Sequence, residues 1–276
     1  MQLRAPAKLN LCLYLGGRRE DGLHQLCSLF EPLGLSDLIE VSEAEHDQVE
    51  CAGLDGENLA ERALAELRER GWRRPPIRLE ITKQIPVAAG LGGASADAAA
   101  VLRLAGADVG DLESLALELG ADVPSQLDPA LALVGGAGER VERLPAPAPH
   151  AVVLLPSGGG LATAAVFAEA DRLGLGRGER ELEELRLRLR DAAAAGASPL
   201  DYAELLHNDL EPAALALRPD AGQALEALRA AGAAVALLTG SGPTAFGLFE
   251  DLDRARRAAA ATGREDAIVS PAGVTA

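Results

Sequence analysis

The chain has 276 residues, 48% of them hydrophobic, with a mean hydropathy near zero; that length supports a sizeable buried core in one large domain or two modest ones. The formal net charge is −16, with 42 acidic residues against 26 basic ones, which argues against a nucleic-acid or anionic-membrane partner, because phosphate backbones attract proteins through Lys and Arg. No apolar run reaches membrane-spanning length, MQLRAPAKLN has no signal-peptide core, and the scattered Cys12, Cys27 and Cys51 read as reduced thiols, so the expected location is the cytoplasm.

The stretch KLNLCLYLGG alternates. Leu9, Leu11, Leu13 and Leu15 share one strand face, expected to be core, and Lys8, Asn10, Cys12 and Tyr14 share the other. A turn follows at 16–22, then the unassigned LHQLCSLFEPLGLSD and a strand at DLIEVSE. Residues 57–71 form an amphipathic helix, with Leu59, Ala63, Leu64 and Leu67 on one face and Gly71 as its stop. The strand IRLEITKQI leads directly into a Gly/Ala segment, and the helix SADAAAVLRLAG starts near Ser95 or Asp97. A further helix runs from an Asp111 cap to Gly120, and LALV, GGAG and ERVERL predict a hairpin.

PAPAPH (145–150) is the best linker, because three alternating prolines favour an extended connection. It divides the chain into 1–149 and 150–276. The second part reads as the strand AVVLLP, the helix TAAVFAEADRLG, a charged helical region at 178–196, the helix AGQALEALRAAG and the strand AAVALL. The glycine loop TGSGPT, the strand AFGLF and the helix DLDRARRAAAAT complete it. Alternating strands and helices without a repeat give an α/β or α+β class in two parts.

The first Gly/Ala segment lies between a strand and a helix. Its glycines admit a ligand close to the backbone, and the helix offers unpaired N–H groups and a positive dipole end. It matches neither G-x-x-x-x-G-K-[ST] nor G-x-G-x-x-G, since Ser95 holds the third glycine position. From the residues alone, tight packing and phosphate binding stand level.

PVAAGLGGASADAA (86–99) resembles the P-x-x-x-G-L-G-S-S-A-A signature of the GHMP kinases, the small-molecule kinases that include galactokinase, homoserine kinase and mevalonate kinase. APAKLNLCLYLGGRREDGLHQLCSLFEPLGLSD, LGADVPSQL, HNDLE and LLTGSGPTAFGLF are similar, in chain order, to segments of one branch of that family. That branch phosphorylates the C2 hydroxyl of 4-diphosphocytidyl-2-C-methyl-D-erythritol in non-mevalonate isoprenoid synthesis. The resemblance implies a two-domain fold, with an N-terminal half like ribosomal protein S5 and a ferredoxin-like C-terminal half, and an active site in the cleft between them.

It also implies residue roles. Pro86, Val87, Ala88, Ala89, Gly90, Leu91, Gly92, Gly93, Ala94 and Ser95 hold the ATP phosphates. Asp122, which alone reads as a turn residue beside Gly and Pro, becomes the base that takes the proton of the acceptor hydroxyl. Lys8, which alone reads as a solvated lysine, becomes its partner and stabilises the transferring charge. Asn10 bonds substrate or orients Lys8. His24 bonds the cytosine and Phe167 stacks on it, although Leu23 stands where the family has tyrosine. Phe167 alone reads equally as core. Thr239, Gly240, Ser241 and Gly242 close over the diphosphate, in a loop that also reads as a β-turn.

Gly93 and Ala94 occupy the signature's two serine positions, with Ser95 one residue on. Mg²⁺ is expected to arrive with ATP on phosphate oxygens and water, with no protein ligand assigned. The alternatives are a kinase for another small alcohol, such as homoserine or mevalonate, and a non-catalytic nucleotide-binding relative. Lys8 and Asp122 rank the latter last.

Overall fold

The computed structural model describes residues 1–53 and 58–273. Strands β1 (Gln2–Arg18) and β2 (His24–Glu43) form a long antiparallel hairpin. Both faces of β1 are buried from Ala5 to Gly16, so the face carrying Lys8 and Asn10 is also interior. The four leucines divide. Leu9 and Leu11 pack with Val152, Leu154 and Phe246, whereas Leu13 and Leu15 pack with Val166 and Leu210. The register shifts on either side of Lys8–Asn10, between Pro6 and Lys8 and between Asn10 and Cys12, and such irregularities twist a strand and re-aim its side chains.

Strand β2 absorbs both the unassigned stretch and the expected strand after it. It is continuous because Leu26–Phe30 pair with one neighbour and Leu38–Glu43 with another. Strand β3 (Gln48–Cys51) was not foreseen; four residues with two polar ones carry little periodicity. Helix α1 (Leu59–Glu69) is capped by Asn58, whose side chain accepts from Ala60 N. The expected start at Glu57 lies outside the described residues, and Ala60, rather than the half-buried Leu59, completes its buried face.

Strand β4 (Ile77–Thr82) stops short of the expected end at Ile85. The Gln84 and Ile85 amides donate to Asp37 Oδ1, at 2.6 and 2.8 Å, instead of to a strand neighbour. Then come α2 (Gly93–Arg103), α3 (Leu112–Leu119), the single turn α4 (Val123–Gln126) and the hairpin β5 (Ala132–Gly136) and β6 (Arg140–Arg143). The first sheet has the order β3-β4-β2-β5-β6 with β1 on β2, and only the β3–β4 pair is parallel.

The second half holds β7 (His150–Leu155), α5 (Thr163–Leu173), α6 (Glu179–Ala193), α7 (Glu211–Leu217), α8 (Ala221–Ala230), β8 (Val235–Leu238), β9 (Ala245–Phe249), α9 (Leu252–Ala261) and β10 (Ile268–Ala272). Its antiparallel sheet runs β10-β7-β9-β8. Strand, helices, two strands, helix, strand in that spatial order is the ferredoxin-like arrangement. Strand β10 was missed. It is a short edge strand containing Pro271, and only an edge accommodates a proline easily. The two sheets share an interior, for one buried cluster joins Leu9 and Leu29 to Val152 and Phe246. Among the described residues no helix is long and apolar enough to cross a membrane.

Candidate active site

The cleft is lined by the middle of β1, the β1–β2 turn with the start of β2, the loop between β4 and α2, the turn between α3 and α4, the start of α5 and the turn between β8 and β9. Lys8 lies at its base. Its Nζ is 2.6 Å from Asn10 Oδ1, 3.2 Å from Asp122 Oδ2 and 4.4 Å from the centre of the Phe30 ring. The Lys8 side chain is 9% exposed and that of Asp122 35%, so the carboxylate faces the cleft while the ammonium is held behind it.

Asn10 is buried and bonded through its amide oxygen, its amide nitrogen and its backbone N–H. Its oxygen accepts from Lys8, its Nδ2 donates to Ser28 Oγ at 2.9 Å, and its backbone N–H donates to Thr239 Oγ1 at 3.0 Å. That last bond ties β1 to the second glycine turn. Asn208 ties the same turn from beneath: Nδ2 donates to the carbonyls of Leu238 (2.7 Å) and Gly240 (2.8 Å), and Oδ1 accepts from Leu210 N. Within the turn, Gly242 N donates to Thr239 O at 2.9 Å and Thr239 N to Thr244 O at 3.0 Å. Ser241 Oγ meets Thr163 Oγ1 at the start of α5, 3.0 Å away.

The first glycine loop needs its glycines. Gly90 and Gly92 have φ of 77° and 69°, in the left-handed region that side chains resist. A Cβ on Gly90 would lie 2.8 Å from Gly242 O, and one on Gly92 would lie 2.7 Å from Lys8 Cγ. The two glycine turns are thus pressed together, and Lys8 runs directly against the first. Helix α2 begins at Gly93 with no side-chain cap on its first turn, which leaves N–H groups for an anion. Ser95 lies in that turn, and Val87 on the loop is 60% exposed.

Gly90 and Gly92 line two cavities. One, of about 700 Å³, contains Lys8, Asn10, His24, Asp122, Phe167, Gly240 and Ser241. The other, of about 210 Å³, contains Asn58, Lys83, Asp97 and the loop residues 86–95. The loop is the wall between them, so a donor and an acceptor can approach it from opposite sides. His24, at the start of β2, and Phe167, on α5, have ring centres 5.2 Å apart, and Leu23 beside them is 54% exposed.

Beneath the loop lies a cluster that local sequence patterns do not reveal. Lys83 Nζ donates to Asp37 Oδ2 and, at 2.7 Å, to Asp97 Oδ2. Burial pushes the Asp97 carboxyl up to about 7, against the pull of Lys83. Burial also pulls the Lys83 ammonium down, but the two carboxylates more than offset this and its pKa is raised. The cluster fastens the first turns of α2 to β2 and the end of β4. Asp37, Lys83 and Asp97 are 14 to 60 positions apart, and Asn208 stands 32 residues from Gly240; HNDLE was visible as a motif, but its task was not.

Among the described residues, no group of three or more His, Cys, Asp or Glu gathers to hold a metal ion. Backbone N–H groups, glycine turns and the cations Lys8 and Lys83 suit phosphate oxygens, on which a divalent ion would arrive already bound.

Residues 58–136 match the model of the GHMP kinases N terminal domain, and 179–266 match GHMP kinases C terminal. The chain belongs to the GHMP kinases. It is 41% identical over 266 residues to a 4-diphosphocytidyl-2-C-methyl-D-erythritol kinase of Streptomyces avermitilis, covering 92% of this chain and 89% of that one. It is 42% identical to the protein of the same name from Mycolicibacterium gilvum, covering 88% of this chain and 80% of that one. A crystal structure of 4-(cytidine 5'-diphospho)-2C-methyl-D-erythritol kinase superposes with a TM-score of 0.82 at 35% identity, covering 99% of this chain and all of that one. Homoserine kinase from Cytophaga hutchinsonii shares the fold at a TM-score of 0.70 and 19% identity, with 99% of this chain and 94% of that one covered.

Proposed function

We propose that the chain transfers the γ-phosphoryl group of ATP to the C2 hydroxyl of 4-diphosphocytidyl-2-C-methyl-D-erythritol, in non-mevalonate isoprenoid precursor synthesis. The observation that carries this reading is the glycine loop standing between two cavities, with Lys8 and Asp122 on the larger one. Similarity over most of the chain to the kinases named for that substrate supports the acceptor.

In this reading ATP lies along residues 86–95, its phosphates on the loop amides and the first turn of α2. The loop amides and Lys8 would hold the phosphates and any Mg²⁺ carried on them, and such an ion would supply neutralisation of phosphate charge. Asp122 Oδ2 accepts the proton of the C2 hydroxyl as that oxygen attacks. Lys8 offsets the negative charge beside it, and Asn10 aims the ammonium. The turn Thr239, Gly240, Ser241 and Gly242 covers the diphosphate. His24 and Phe167 receive the cytosine ring, one by hydrogen bonding and one by stacking, and Leu23 supplies an apolar edge in place of an aromatic one.

We assign residues 1–149 to the ATP-binding domain and 150–276 to the second domain; strand β7 begins at His150, and residues 274–276 lie outside those described. Small molecules are the partners, and neither nucleic acid nor membrane is needed. The free cysteines suit the cytoplasm.

The test is steady-state ADP release with MgATP and three acceptors. Turnover is expected with the cytidine diphosphate substrate, and kcat/KM for homoserine and mevalonate at least about 10³-fold lower, because neither fills the base end of the cleft. An absence of ADP release with the cytidine substrate would overturn the reading.

A further inference from the structure

The segment HNDLE (207–211) grips two parts of the cleft at once: the strand that carries Lys8 and the second glycine turn. It meets β1 as a short parallel bridge, in which Leu13 N donates to His207 O at 2.8 Å and Asp209 N to Leu13 O at 2.9 Å. The Asp209 carboxylate fastens that edge, accepting from Leu15 N at 2.9 Å and from two nitrogens of Arg177 at 2.6 and 2.7 Å. Glu211 Oε2 accepts from Leu238 N at 2.9 Å, where β8 gives way to the turn.

Asn208, in the middle, is 2% exposed. It faces the carbonyls of Leu238 and Gly240, which only accept, and the N–H of Leu210, which only donates. A side-chain amide offers two donors and an acceptor on one short stem, and a carboxylate of the same shape lacks the donors. The turn it holds is seated on Asn10. A Cβ on Gly240 would lie 2.8 Å from Asn10 Oδ1, the oxygen that accepts from Lys8 Nζ. Thr239 Oγ1 accepts from Asn10 N at 3.0 Å. Contacts thus run unbroken from Asn208 through Gly240 and Thr239 to Asn10, and from Asn10 to Lys8.

We propose that Asn208 is a positioning residue for phosphoryl transfer: by holding the carbonyls of Leu238 and Gly240 it keeps the glycine turn seated on Asn10, and so keeps the Asn10 amide oxygen aimed at the Lys8 ammonium. The inference rests on the kinase reading given above. Asn208 touches no reacting group and acts only through Asn10. Without its amide, two buried carbonyls lose their donor, and the turn shifts to find another. Asn10 Oδ1 then loses the backbone packed against it, and the ammonium loses its fixed point beside Asp122.

The experiment is a double-mutant cycle on the full chain: the unaltered protein, Asn208→Ser, Lys8→Met and both together. Each is read as kcat for ADP release with MgATP and 4-diphosphocytidyl-2-C-methyl-D-erythritol, beside its urea midpoint. Asn208→Ser keeps an oxygen for Leu210 N but lacks the second donor that two carbonyls need. Alone, it should lower kcat by about 10- to 100-fold, as expected when a remote change misplaces a reacting group. With Lys8→Met already present, the same substitution should lower kcat by less than about threefold, because Asn10 no longer has an ammonium to aim. A merely structural Asn208 would lower the urea midpoint and leave the kcat of the folded protein unchanged, or would slow both backgrounds equally. Either result overturns the proposal and leaves the kinase reading standing. Should Asn208→Ser not fold, Thr239→Val cuts the same path one link further on, and equal slowing in the two backgrounds overturns the proposal there. An absence of ADP release by the unaltered protein overturns both.

Discussion

The Lys8 ammonium stands 3.2 Å from the Asp122 carboxylate and 2.6 Å from Asn10 Oδ1, with its aliphatic stem against Gly92. The charge is therefore held at one point by an amide on its own strand and by the backbone of the glycine loop. A phosphoryl group on that loop would meet the ammonium and the Asp122 carboxylate together.

Lys8→Met keeps the stem and removes the charge. Electrostatic stabilisation of a developing charge is commonly worth 10²–10³ in kcat, so a loss of about that size is expected in steady-state assays. Lys8→Arg is not expected to rescue, because a Cβ on Gly92 would already lie 2.7 Å from Lys8 Cγ and the broader guanidinium has no room to swing away from that wall. Arginine activity close to the unaltered protein's would remove the steric part of the account.

Gly90→Ala should separate the two glycine turns. The new Cβ would meet Gly242 O at 2.8 Å and Thr239 O at 3.1 Å, both backbone atoms, at a φ of +77°. Left-handed backbone costs a non-glycine residue about 1–2 kcal/mol, which the whole fold can absorb. Alignment of donor and acceptor cannot, and a misplacement of an ångström is worth about 100-fold in rate. The expected variant is folded, slightly less stable in urea and slower by about that factor; an equally fast variant would contradict the contact.

Ala88 carries a left-handed φ of +55° without being glycine. Ala88→Gly should relieve about 1–2 kcal/mol of strain and give back about 0.5–1 kcal/mol in unfolded-chain entropy, leaving a net gain of about 0–1.5 kcal/mol. Urea midpoints compare the two directly, and a lower midpoint for the glycine variant would show that this backbone is not strained.

Asp97 gives stability a pH dependence. Its carboxyl is raised by burial from 3.8 to about 7 in the fold, so between about pH 4 and 7 the folded chain keeps a proton that the unfolded chain has released. Stability from this group falls as pH rises through that window. Asp97→Asn, which cannot titrate, should flatten the decline in unfolding free energy measured by urea titration at several pH values. Parallel curves for the two proteins would refute the assignment.

The sequence made the chemistry easier to see than the architecture. Alternation alone set Lys8 and Asn10 on one face, and they do meet, and the glycines between a strand and a helix marked the loop. Burial of that polar face was not legible, because the layers that enclose β1 come partly from the second half of the chain: Tyr14 donates to Leu205 O and Asn10 takes Thr239. The Asp37–Lys83–Asp97 cluster escaped for the same reason, since no local period links an aspartate in β2 to a lysine after β4. Strand β3 is half polar and β10 carries Pro271, so neither shows the apolar run that marked the equally short β8 and β9.

The central claim is that Asp122 takes the proton of the acceptor hydroxyl while the glycine loop holds ATP. The most direct measurement is single-turnover phosphoryl transfer by Asp122→Asn, together with ATP binding to the same variant. The account predicts ATP affinity within about threefold of the unaltered protein and transfer slower by about 10²–10⁴-fold. Transfer at the unaltered rate, or loss of ATP binding without slowing of the chemical step, would contradict it.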